Sequence, residues 1–369
     1  MTGDLDLAEG AARVARPDEA VSLDELQLAA RNHGLPLEAL RYDVTPVGLH
    51  YLLVHYDIPD VDPDAWRLAV GGAVSRPVTL DLDDVRARPA TTARVTIECA
   101  GNGRARLLPR PVRQPWLTEA VGTAEWTGTP LAPLLDELGV GDDAVAVGFR
   151  GADHGVERGV EQDYERGLSL DDARTGDLLL AYEMNGQPLP PQHGAPLRLV
   201  APGWYGMAHV KWLTHIEVLT EPFAGFQNDT AYRLTQAEGD AGEPVTRMRP
   251  RALMSPPGFP DFMTRTRVVD VGDHELRGRA WSGGGPVRRV EVSADDGRTW
   301  ADAELAPATS RWAWQAWRYR WRADTPGRTT LCCRATDESG EVQPVEQPWN
   351  RQGMANNLVQ RIPVLVRQR

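Results

Sequence analysis

RVTIECAGNGR, residues 94–104, runs a series of β-formers into a tight turn through a single cysteine. Val95, Thr96 and Ile97 favour an extended strand, and the Ala-Gly-Asn-Gly that follows has the composition of a sharp reversal. Cys99 is therefore presented at a strand end, with the guanidinium of Arg104 a few residues behind it. A thiol so placed has three uses: a buried structural residue, a nucleophile or a metal ligand. A nucleophile needs a base, and no spacing singles out one of the eight histidines. Zinc takes four protein ligands, or three and a water, and no paired His/Cys spacing accompanies Cys99. A lone thiolate suits a soft, redox-active metal whose other ligands come from a cofactor. On residues alone the three uses stay open.

Working outward, residues 22–34 predict a short helix. Ser22 and Glu25 have the spacing of a capping box, Leu23 and Leu26 share a face, and Gly34 suits the stop. TPLAPLLDELG predicts a second helix, with Thr129 as N-cap, Pro130 at the first helical position and Gly139 closing it. Short β-like runs surround these: WRLAVGG, RVTIEC, AVAVGF, LLLAYEM and PLRLVAP, punctuated by Gly and Pro. The mixture predicts an α+β domain ending near residue 240. Proline-rich RMRPRALMSPPGF, residues 247–259, reads as a linker. Beyond it RTRVVDV, HELRGRAW, RRVEVSAD, WQAWRYRWRA and TTLCCRATD alternate with turn signals such as DDGR and TPGR. That pattern predicts an immunoglobulin-like sandwich. Within it Cys332 and Cys333 read as small core residues, one of them pointing inward.

Bulk properties bound the function. A chain of 369 residues holds more than one core, and 41% hydrophobic with 25% charged residues is ordinary for a globular protein. A formal net charge of −12 argues against nucleic acid as the main partner. Any anion chemistry then needs a basic pocket inside an acidic surface. No apolar run is long enough to span a bilayer, and three cysteines make no disulfide framework. The acidic start MTGDLDLAEG lacks the order of a secretory signal, which predicts a cytoplasmic protein, or a periplasmic one if a leader has been removed.

ECAGNGR resembles the molybdenum-binding ECAGNRR signature of the sulfite oxidase family. The likeness extends through LLLAYEMNGQPLPPQHGAPLRLVAPGWYGMAHVKWL (178–213), GRAWSGGGPVRRVEVSADDGRTW (278–300) and QPVEQPWN, and covers the chain from about Thr45 onward. It implies an extension with a short helix over 1–44, a molybdopterin-binding oxidoreductase domain over 45–243, and an immunoglobulin-like dimerisation domain over 244–369. Cys99 becomes the protein thiolate on molybdenum, and no counterpart of the family's haem domain is expected.

Further residues carry over from the same resemblance. His193 and Arg198, with Lys211 and its neighbours His209 and Val210, are expected to hold the pterin's terminal phosphate, which needs fixed donors. Asp153 is expected on the pterin, and His55, Tyr56 and Asp57 fall where the family has Arg-Asn-His beneath the cofactor. Arg104 is expected to line the substrate anion pocket, with Tyr232 near the metal. Three positions depart from the pattern: Gly103 and His55 stand where arginines are usual, and Gln352 stands for another, with Arg351 adjacent. These departures predict a pocket less positive than usual, with a titratable His55 in place of a permanent charge.

The expected function is a molybdenum-dependent oxidation of sulfite to sulfate, in a homodimer that passes electrons to a soluble cytochrome c-like carrier. Two alternatives stand beside it. One is the same cofactor acting on a less charged substrate, including reduction of an S-oxide. The other is a non-catalytic assembly protein. A cysteine hydrolase is a more distant rival.

Overall fold

The computed structural model describes residues 13–368; the acidic stretch 1–10 that bears on compartment lies outside the described residues. The chain first forms α1 (Leu23–Arg31) from the predicted capping box: Ser22 Oγ accepts from Glu25 N at 3.2 Å, and Ser22 N donates to Glu25 Oε2 at 2.9 Å. Leu23 and Leu26 are exposed, however, and the buried side chain is Glu25, paired with Arg110. The helix stops at Asn32, short of Gly34, because the Asn32 amide is engaged elsewhere. Its Oδ1 accepts from Val54 N at 2.7 Å. Leu35, Ala39 and Leu40 then enter the main core.

Two sheets follow. The first contains β1 (Leu68–Gly72) and β2 (Val78–Leu80); the short helix α2 (Leu82–Arg86) leads from it into the second. That second sheet begins with β3 (Thr91–Glu98), the strand of RVTIE, paired antiparallel with β4 (Val121–Pro130). Thr129 and Pro130 are the end of β4 rather than a helix start. Their backbones pair with Leu180 and Leu179, and this ladder outweighs the local capping signal. Helix α3 (Leu131–Leu138) begins one residue later and buries four leucines, ending at Gly139 as expected.

Strands β5 (Ala146–Glu157) and β6 (Val160–Ser169) form a hairpin whose tip is Arg158-Gly159. Both tip residues have positive φ, 51° and 76°, as a two-residue turn twisted to match its strands requires. Then come β7 (Leu179–Met184), β8 (Gln187–Pro188), β9 (Arg198–Val200) and β10 (Leu213–Leu219). The first sheet has the order β2-β1-β10-β5-β6, and the second β3-β4-β7-β8 with β9 also on β7.

The C-terminal part is the expected all-β sandwich. One sheet joins Arg251–Ser255, Gly272–Trp281, Gln315–Ala323 and Glu304–Leu305. The other is six-stranded and includes Val287–Ser293, Gly327–Asp337 and Gln360–Arg367. Leu276, Val290, Trp317, Leu331, Cys333 and Val364 fill the space between them. Cys332 is also buried, with its Sγ 3.9 Å from Asp296 Oδ1, so Cys333 alone of the pair joins the inter-sheet core. The expected linker is corrected in part: Arg251–Ser255 is a buried strand of the sandwich, hidden in the sequence between Pro250 and Pro256. Among the described residues no helix is long and apolar enough to cross a membrane.

Candidate active site

The cysteine turn is fixed from both sides. Cys99 N donates to Ala120 O at 2.9 Å, and Asn102 N closes the reversal on Cys99 O at 2.9 Å. The Asn102 side chain donates to Glu98 Oε1 at 3.0 Å and accepts from Ala120 N at 3.1 Å, which explains an amide inside a glycine turn. Gly101 has no room for a side chain, since a Cβ there would lie 2.6 Å from Arg104 Nη2. Gly103 has φ +86° and is pressed by Asn356, so the departure from an arginine at this position meets a backbone need. Arg104 lies buried behind the turn, its Nε donating to Gln352 O at 2.8 Å. Burial pushes the Cys99 thiol up and Arg104 opposes the rise. The free thiol is therefore protonated at neutral pH, and a thiolate there needs a bound cation.

Beyond Cys99 opens a narrow cavity of about 70 Å³. Its lining brings together His55, Cys99, Asp153, His193, Arg198, His209, Lys211 and Tyr232 from six stretches of chain. A break in the β5–β6 register between Arg150 and His154 aims Asp153 inward. Lys211 donates to Leu53 O at 2.8 Å, and Arg198 to His193 O at 2.9 Å.

This end of the cavity is crowded with cations. Burial, then Arg198, lowers Lys211 to about 7, and Asp153 only partly offsets that. Burial lowers Arg198 to about 10. His193 is pushed down to about 2, first by burial and then by His50, Arg198 and Lys211. Arg198 Nε, His50 Nε2 and Asp153 Oδ1 are buried without a hydrogen-bond partner. Neutral His50 donates through Nδ1 to Tyr51 O at 3.0 Å, so its Nε2 and Asp153 Oδ1 are unpaired acceptors, whereas Arg198 Nε is an unpaired buried donor beside mutually repelling cations, unfavourable until an anion arrives. The set fits a phosphate-ended ligand.

Some expected residues do other work. His209 is held at both ring nitrogens by backbone: Nδ1 accepts from Ala201 N at 3.2 Å and Nε2 donates to Trp204 O at 3.2 Å. Val210 is a core residue whose carbonyl accepts from Leu199 N at 2.8 Å. Asp57 is turned out to solvent and paired with Arg31 at 3.0 Å, and Tyr56 packs on Gly155 with its hydroxyl accepting from Gln227. Of the expected His55-Tyr56-Asp57 set, only His55 reaches the cavity.

The residues at two of the departing positions, His55 and Gln352, both have charged neighbours. His55 Nε2 meets Glu157 Oε2 at 2.8 Å, and Glu157 also pairs with Arg113. Gln352 Oε1 accepts from Arg113 at 3.2 Å and from Arg158 at 2.9 Å, while its carbonyl holds Arg104. Gln352 thus gathers three guanidiniums, of which Arg104 acts on the Cys99 thiol and Arg113 is paired with Glu157. Neither Arg113 nor Arg158 belongs to a recognisable motif, and nothing in local spacing marked them.

The buried strand end ties the two halves of the molecule together. Glu98, beside Cys99, accepts from Trp281 Nε1 at 2.8 Å and lies 2.7 Å from Arg251 Nε. That arginine contact is close but poorly directed, an ion pair more than a hydrogen bond.

The model of the oxidoreductase molybdopterin binding domain matches residues 55–227, and that of the Mo-co oxidoreductase dimerisation domain matches residues 262–367. Sulfite oxidase of Gallus gallus is 35% identical over 343 residues, covering 84% of this chain and 71% of that protein. Mitochondrial sulfite oxidase of Mus musculus is 33% identical over 344 residues, covering 88% of this chain and 62% of that protein. NADH nitrate reductase 1 of Oryza sativa subsp. japonica is 31% identical, covering 85% of this chain and 37% of that protein. The chain thus spans about three-fifths of the length of its mammalian relatives. Among solved structures, the sulfane dehydrogenase SoxCD of Paracoccus pantotrophus has a TM-score of 0.77 at 24% identity, covering 97% of this chain and 92% of that one, a likeness of fold. With a cysteine at the head of the cavity, a cationic seat at its far end and a dimerisation-type sandwich behind, the chain belongs to the sulfite oxidase family.

Proposed function

We propose that the protein is a molybdenum-dependent oxidoreductase that oxidises sulfite to sulfate and passes the electrons to an external acceptor of the cytochrome c type. The observation that supports this most directly is the convergence of Cys99, Tyr232, Arg198 and Lys211 on one cavity, with Arg104 acting on the thiol and Arg113 and Arg158 tied to the same Gln352 as Arg104. Molybdenum held by a pterin dithiolene and the Cys99 thiolate supplies oxygen-atom transfer and two-electron redox chemistry when bound.

The residues of this chain have separate tasks. His193, Arg198 and Lys211 hold the terminal phosphate, and Asp153 takes a pterin donor on its unpaired oxygen. Arg104, Arg113 and Arg158 attract the oxyanion. Burial, with Arg113 next, lowers Arg104 to about 10, which still leaves it cationic at neutral pH. Guanidinium forks match planar oxygen pairs, so they orient the substrate as well as attract it. Burial raises Tyr232 and keeps its phenol protonated, so Tyr232 Oη donates a hydrogen bond to a developing oxyanion. His209 and Val210 serve by bracing β9, which carries Arg198, and the loop that carries Lys211.

The division near residue 244 into a cofactor domain and a dimerisation domain belongs to the same proposal, supported by the two matched regions. So does a homodimer. The deciding experiment combines molybdenum quantitation with sulfite-dependent reduction of an artificial acceptor. Loaded protein without sulfite turnover sinks the sulfite reading. Nitrate consumption with a reduced acceptor would then favour the reaction named for the nitrate reductase relatives.

A further inference from the structure

Glu157 is the acidic member of the cationic cluster, and the tasks just described leave it unused. The β5–β6 hairpin tip delivers it together with Arg158, so one two-residue turn sets an anion and a cation side by side. Its carboxylate is largely buried and fully engaged. Oε2 accepts from His55 Nε2 at 2.8 Å and from Gln227 Nε2 at 3.3 Å, while Oε1 pairs with the Arg113 guanidinium. Those contacts are what a bound oxyanion would seek: a guanidinium N–H on one oxygen and a ring N–H on the other. Arg104 and Arg158 are tied to the same Gln352, feel Glu157 electrostatically, and form no direct ion pair among the described residues.

We propose that Glu157 is a specificity-determining residue, an intramolecular competitor that weakens the pocket's hold on doubly charged anions relative to singly charged ones. This rests on the reading of Arg104, Arg113 and Arg158 as the oxyanion pocket. A fixed negative charge adds a fixed potential at the binding point, and the energy it costs a ligand scales with the ligand's charge. The logarithm of the penalty on a dianion is therefore twice that on a monoanion of the same shape. Sulfate, the product of the proposed reaction, is a dianion, so the device favours its release.

The test uses oxidised, molybdenum-loaded full-length protein and two probes of similar shape, sulfate and methanesulfonate, titrated by calorimetry. Glu157→Gln keeps the size and the acceptor for Arg113 but removes the charge. We expect methanesulfonate to tighten on the order of tenfold and sulfate on the order of a hundredfold. Glu157→Asp, which keeps the charge, should bind both as the parent does. Sulfate binding that is unchanged or weaker in Glu157→Gln would overturn the proposal, leaving Glu157 as a brace for the arginines. Equal tightening of both probes would also overturn it, because a steric change does not read charge. If loaded parent and Glu157→Gln both fail to bind sulfate, the oxyanion-pocket reading itself falls, a result distinct from a parent that binds and a variant that binds no better.

Discussion

At the scale of single residues, the chemistry of this site is a matter of what burial does to charge. Cys99 is protonated while the site is free, since burial raises its thiol more than Arg104 lowers it. A serine there is nearly isosteric and donates as a thiol does, so Cys99→Ser keeps the turn that Asn102 stitches. A hydroxyl is a harder and poorer partner for this metal. The expected result is unchanged circular dichroism, retained pterin and loss of sulfite turnover by at least a hundredfold; a metal-loaded Cys99→Ser with parental turnover rules out the ligand role. Cys99 and Arg104 were legible because they lie five residues apart in one motif. Arg113, Glu157 and Arg158 were not, because they come from a loop and a hairpin tip that only the folded chain brings together. His50 was overlooked five residues before His55, since a histidine between Leu49 and Tyr51 carries no local sign of an unpaired nitrogen.

At the scale of elements, strands announced themselves wherever β-formers met Gly or Pro, and each predicted run contains one. The failures have a common cause. Local signals at Thr129-Pro130 and around Arg251–Ser255 were overruled by ladder partners far away in sequence, Leu179 and Leu180 in one case and Arg277 to Trp281 in the other. The second strand matters for the site. Arg251 reaches from the sandwich to Glu98, one residue before Cys99, and Trp281 completes the grip. Burial raises Glu98, with Arg251 and Trp281 opposing, so removing the cation leaves a carboxyl that protonates or pulls in water. Arg251→Met should cost about 3–5 kcal/mol in chemical denaturation. Arg251→Met with Glu98→Leu should recover much of that loss, because no charge is then stranded. Additive losses in the double variant would show that the two side chains do not act as a pair.

At the scale of the molecule, an acidic protein encloses a cationic chamber. The chain carries a net charge of −12, yet Arg198 and Lys211 line the cavity and Arg104, Arg113 and Arg158 cluster on Gln352. Assembly adds a second feature: the dimerisation match predicts that light scattering at micromolar concentration gives twice the mass of the 40.6 kDa chain, and a strict monomer counts against it. The chamber itself makes a prediction about stability. Lys211 stands near 7 in the folded, cofactor-free protein against 10.5 in the unfolded chain. Between those values the unfolded chain holds a proton that the folded one has released, so stability rises with pH across that window and the deficit is complete below it. His50, lowered to about 4, and His209, lowered to about 3, act in the same direction between those values and 6.5. Denaturation of cofactor-free protein should therefore show stability climbing from pH 7 to pH 10 relative to Lys211→Met, by on the order of 2–4 kcal/mol. The variant is the needed reference, since surface groups titrate in the same range and cancel in the difference. A phosphate-ended ligand stabilises the ammonium form, so saturating pterin or pyrophosphate should flatten the parent's slope while leaving the variant's alone. Identical pH slopes for parent and Lys211→Met would show that Lys211 is charged and solvated in the free protein, and that the seat is not waiting for an anion.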